Sequence, residues 1–172
     1  PIVLNFMVWT NFRKRVVNEC LDDALDVLEE FDVVVPRPRL VFSTLDYCDE
    51  LSGSLSGLYV SSDLYLDSEQ VFKLVELFVK ATYSGTDVSE EYVEEVKKEM
   101  MGNREILVEE KNRFYQGICR DLGVDMDKGD SIILFPCVFE KDPRFVLLHE
   151  LWHYVERYHN LDDYIIHEGT AM

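Results

Sequence analysis

DPRFVLLHELWHYVERY, residues 142–158, decides how this chain is read. Asp142 is a good helix N-cap, because its side chain can accept from backbone N–H groups that the first turn leaves unpaired. Pro143 suits the first helical position, where no N–H is required. The stretch therefore predicts a helix from Pro143 to about Tyr158. Phe145, Leu148, Trp152 and Val155 recur at helical spacing as an apolar stripe, with Leu147 and Leu151 flanking it. Asn160 can end the helix. So apolar a helix belongs near the centre of a fold, and it lies near the C-terminus of the 172 residues.

Inside the helix stands HELWH, His149 to His153, a complete HExxH motif. Residues four apart lie roughly 40° apart around a helix and one turn apart along it, so both imidazoles can reach one zinc ion. Glu150 is then placed beside the metal, where it can take a proton from a water on the ion. Zinc itself acidifies that water and polarises a carbonyl. All four histidines of the chain, His149, His153, His159 and His167, fall within residues 149–167. The plainer account is two satisfied histidines on an ordinary buried helix.

A catalytic zinc takes three protein ligands and keeps a fourth position open. Three residues compete for the third place. Glu168 lies in HEGTA, on a second helix that Asp162 can cap. His159 completes HxxxHxxxxxH, but on a continuing helix it points away from the zinc face. His167 neighbours Glu168 and points about 100° from it on the same helix.

HExxH followed on a second helix by a glutamate in an EGTA-like setting resembles the gluzincin metallopeptidases, in a compact, minigluzincin-like form. That resemblance rests on residues 131–172; upstream it is only an order of elements. It implies a zincin-like catalytic domain and Glu168 as the third zinc ligand, with Gly169 and Ala171 letting two helices pack closely. The three-histidine spacing is instead similar to that of the metzincins, whose glycine would fall where this chain has Glu156. It also occurs in zinc-dependent endoribonucleases that process ribosomal RNA. Gluzincins often carry a Tyr or His that steadies the oxyanion; Tyr154, Tyr158 and Tyr164 are candidates, against plain packing roles. Asp162 or Asp163 could orient a ligand histidine, against helix capping.

Working outward, Ile2–Val8 reads as a strand. Thr10 or Asn11 can cap a helix over Phe12–Phe31. Leu40–Thr44 reads as a strand, and Gly57–Val60 and Leu64–Asp67 as two short ones. Ser68 can cap a helix to about Ala81. Ser89 begins one longer helical region to about Asp121, whose acidic run over residues 87–113 is either a solvated face or a docking surface for basic partners. Ser131–Val138 is a strand in which Pro136 must sit at an edge or bulge. The fold class expected is α+β: a small mixed sheet with an edge strand, packed on helices, with the active-site helix near the C-terminus, as one domain over residues 1–172. The sequence ends inside the second helix, so the polypeptide is expected to continue beyond Met172 or to be covered there.

Composition narrows function. The formal net charge of −17 repels phosphate backbones, so no nucleic-acid partner is expected. No apolar run reaches the roughly 20 residues that span a bilayer. Four cysteines without CxxC spacing read as reduced and mostly buried in a cytoplasmic protein. The expected function is peptide-bond hydrolysis with zinc as cofactor. His149, His153 and Glu168 are its ligands, Glu150 the general base, and a peptide or protein the substrate, its backbone pairing with an edge strand in Leu58–Leu66. The alternatives are an endoribonuclease or metzincin-like enzyme using His159, and a silent HExxH binding protein.

Overall fold

The structure is a computed structural model, and it describes residues 3–4, 8–49, 53–61 and 68–159. Its centre is β7 (Ser131–Leu134), which is buried along its whole length. β2 (Arg39–Phe42) pairs with β7 in parallel, Leu40 opposite Ile132. β6 (Gly57–Val60) pairs with its other side in antiparallel fashion, Tyr59 opposite Ile132. The order β2-β7-β6 makes β6 an edge of this mixed sheet. Two short ladders stand apart from it: β1 (Val3–Leu4) with β3 (Leu45–Asp46), and β4 (Cys48–Asp49) with β5 (Gly53–Ser54).

A strand covered on both faces needs no polar alternation, and SIILF has none. Ile132 and Leu134 face one cluster, with Val17 and Leu21 of α1 (Asn11–Glu30) and Leu147, Leu151 and Tyr154 of α5 (Pro143–Tyr158). Ile133 and Phe135 face the other, with Leu58, Val60 and Ile118 of α4 (Arg104–Leu122). Helices thus cover both faces of the sheet, and α5 lies against β6, β7 and α1. α2 (Ser68–Tyr83) packs on α3 (Glu90–Gly102) and α4. The α+β class expected from the sequence holds.

The local signals acted largely as read. Thr10 caps α1, its side chain accepting from Arg13 N, and Asp142 caps α5, accepting from Arg144 N at 3.0 Å, with Pro143 next. The expected helix over residues 89–121 is instead two. Asn103 interrupts it, its N–H and its side-chain amide both turning to carbonyls of the preceding turn. The strand expected over Ser131–Val138 stops at Leu134, because Pro136 has no N–H for a ladder and opens a 3-10 turn over Pro136–Glu140. β3, β4 and β5 were not foreseen. α2 includes Ser68, expected as its cap, and runs two residues beyond Ala81. Of the four cysteines only Cys119 is fully buried; Cys20 and Cys137 are half-buried and Cys48 is exposed. No described helix is long and apolar enough to cross a membrane. The expected strand Leu64–Asp67 and the helix after Asp162 lie outside the described residues.

Candidate metal centre

α5 uses its faces differently. Val146, Leu147, Leu151, Tyr154 and Val155 are buried in the core. The stripe read from the sequence is therefore displaced: Phe145 and Leu148 are 54% and 45% exposed. They line an apolar groove between α1 and α5, about 520 Å³ in volume, whose wall also carries His149, Trp152 and, from α1, Val27. The hydrophobic residues of α5 thus serve two surfaces, and spacing alone does not say which of them faces the sheet.

His149 and His153 meet one turn apart. Their Nε2 atoms are 3.1 Å apart and their ring planes stand at 85°. Two nitrogens on one tetrahedral zinc, each about 2.0–2.1 Å from it, would lie about 3.3–3.4 Å apart. The pair fits that requirement to a few tenths of an ångström. The same distance also suits an Nε2–H···Nε2 hydrogen bond, so it admits zinc without demanding it. Among the described residues, no group of three His, Cys, Asp or Glu is placed to hold a metal.

Glu150 turns to the sheet. One carboxylate oxygen, Oε2, accepts from the main-chain N–H of Tyr59 on β6 at 2.9 Å. This contact depends on Gly57: a Cβ there would lie 2.6 Å from Val146 Cγ1 and 3.0 Å from Glu150 Cγ. Only a residue without a side chain lets the strand come so near the helix. Tyr59 is held in turn. Its hydroxyl donates to Asp130 Oδ1 at 2.7 Å, and its ring lies 5.5 Å from that of Tyr154, one turn past Glu150. Burial, then the hydrogen bond to Asp130, push the Tyr59 hydroxyl well above its ordinary range.

The other candidates divide plainly. His159 is the exposed C-cap of α5, its ring against Tyr158 rather than with the histidine pair. Tyr154 is a core residue whose hydroxyl donates to Pro36 O at 2.8 Å, and burial pushes it up to about 12. Tyr158 is exposed at the helix end, its ring against Tyr154. Glu168, His167, Asp162, Asp163 and Tyr164 lie outside the described residues. Sequence reasoning missed Gly57 and Tyr59 as neighbours of the site. The available signal was a glycine heading a strand pattern, which marks close backbone approach. The acidic run lies on α3 and α4 with most of its carboxylates exposed, as a solvated face would.

In comparisons with known protein families, curated proteins and solved structures, the chain matches none.

Proposed function

We propose that this chain is a zinc-dependent peptidase with a zincin-like catalytic domain. The observation that carries the proposal is the meeting of His149 and His153 at Nε2; Glu150, next to His149 in the sequence, is drawn to an edge strand. His149 and His153 would hold the ion, and zinc when bound would acidify a water and polarise a carbonyl. Glu150 takes the proton of the attacking water and returns one to the leaving amine nitrogen. β6 is an edge strand among the described residues, and an extended substrate backbone would pair along it beyond the Tyr59 N–H that Glu150 occupies. The net charge of −17 favours neutral or basic peptides over nucleic acid. Free thiols at Cys20, Cys119 and Cys137 favour a reducing, cytoplasmic setting.

Glu168 is the third ligand we assign, from its place in HEGTA, the glutamate setting that resembles the gluzincins.

The test is metal content joined to hydrolysis. Protein purified without chelator should carry about one zinc per chain and cleave members of a peptide mixture, read by mass spectrometry. Glu150→Gln should keep zinc and lose roughly a hundredfold or more in rate, the usual contribution of a general base. A chain without zinc, or Glu150→Gln cleaving at the wild-type rate, would overturn the proposal. Glu168→Ala should weaken zinc binding sharply while His159→Ala leaves it nearly unchanged. The reverse result would move the third ligand to His159.

A further inference from the structure

We propose that Tyr59 is a positioning residue for Glu150, with Asp130 as the anchor that sets its place; this rests on the general-base role assigned above. β6 has two sides. Ser56 O accepts from Phe135 N on the side of β7, which fixes the alternation of the strand. The Tyr59 N–H points the other way, to the open edge, and donates to Glu150 Oε2. Hydrogen bonds to a charged acceptor are about twice as strong as neutral ones, and direction comes with them. The bond fixes one carboxylate oxygen and leaves Oε1 as the oxygen with which Glu150 meets a proton.

A main-chain donor is only as well placed as its strand. The Tyr59 side chain fixes that strand at two points: its hydroxyl on Asp130 and its ring on Tyr154, itself tied to Pro36 O. Ser61 also neighbours the hydroxyl. Val146, Glu150 and Tyr154 succeed one another at one-turn intervals on the face of α5 that meets β6. Gly57 packs at the first, the Tyr59 N–H at the second and the Tyr59 ring at the third. Glu150 is thus held between two packed contacts. The Asp130 carboxylate reaches Glu150 through Tyr59, whose hydroxyl it holds.

Four variants separate positioning from general damage. Asp130→Ala and Tyr59→Phe should each lower kcat roughly tenfold, since misplacement by ~1 Å can cost up to ~100-fold. KM and zinc content should stay within about twofold, and the double variant should be no worse than either single one, as for two ends of one link. Asp130→Asn keeps an oxygen that accepts from Tyr59 and should restore the rate. Replacing Tyr59 by its α-hydroxy acid deletes the N–H, weakens the Leu58 carbonyl as an acceptor towards β7, and should lower kcat further. The proposal is overturned if Asp130→Ala keeps the wild-type kcat while Glu150→Gln is dead, if only KM moves, or if Asn behaves as Ala. Should the wild type hydrolyse no peptide, the peptidase function fails by itself, and amide exchange of Tyr59 decides the positioning. Protection lost in both Glu150→Ala and Asp130→Ala supports it; protection unchanged in either overturns it.

Discussion

Gly57 carries no side chain where β6 crosses α5. Val146 and Glu150 of α5 occupy the space where its Cβ would go, so Gly57→Ala must push the strand off the helix or the helix off the sheet. Overpacking of this kind costs about 1–3 kcal/mol. Urea unfolding should show that loss, and the Tyr59–Glu150 bond should lengthen in a crystal structure of the variant. A variant as stable as the wild type, with the bond intact, would show that the contact yields easily. HELWH was legible because its information is intrahelical: two residues four apart share a face whatever the helix packs against. Glu150 also belongs to that local pattern, but its partner does not. Tyr59 lies 91 residues away in sequence, and nothing in the pattern GLYV says which helix will cross it.

At the scale of elements, capping and periodicity foretold α1 and α5 nearly to the residue, because Thr10, Asp142 and Pro143 act within one turn. The division of α3 from α4 was hidden, since helix-forming residues lie on both sides of Asn103 and a single side chain turning back on Glu99 O decides it. The contact of Tyr47, between β3 and β4, with α4 yields a prediction about pH. The Tyr47 hydroxyl donates to Asp121 Oδ2 at 3.2 Å, and burial first, then the Asp121 charge, push it up to about 12. In the unfolded chain it ionises near 10. Between about pH 10 and 12 the unfolded chain therefore holds fewer protons than the folded one, and stability falls as pH rises. This contribution is whole below pH 10 and gone above pH 12. Tyr47→Phe should flatten the decline, measured as unfolding midpoints in urea at pH 9, 10 and 11. An unchanged slope would show that Tyr47 does not titrate in that window.

For the molecule as a whole, the question is how much of the fold depends on a metal. Both apolar clusters close on the sheet through residues that need no ion: Val17, Leu21, Ile132 and Leu147 on one face, Ile118, Ile133 and Phe135 on the other. Small zinc domains that lack such cores are unfolded without metal; this chain should stay folded. Zinc binding only to the native state would still stabilise it by mass action, about 2.7 kcal/mol at a hundredfold excess over Kd. For a chain of this size each 1 kcal/mol moves Tm by about 2–4 °C. A chelator should therefore leave a cooperative transition and lower Tm by roughly 5–10 °C, and zinc should restore it. The charge of −17 attracts any divalent cation to the surface, so the shift must be shown to belong to the site. His153→Ala supplies that control: its transition should remain cooperative, sit near that of the stripped wild type and ignore added zinc. Magnesium at equal concentration should move neither protein by a comparable amount, because imidazole suits zinc and magnesium prefers oxygen ligands. If the stripped wild type shows no cooperative transition, the metal supports the whole fold. If zinc raises the Tm of His153→Ala as much as that of the wild type, the ion binds the acidic surface and the histidine pair is a hydrogen bond on a buried helix.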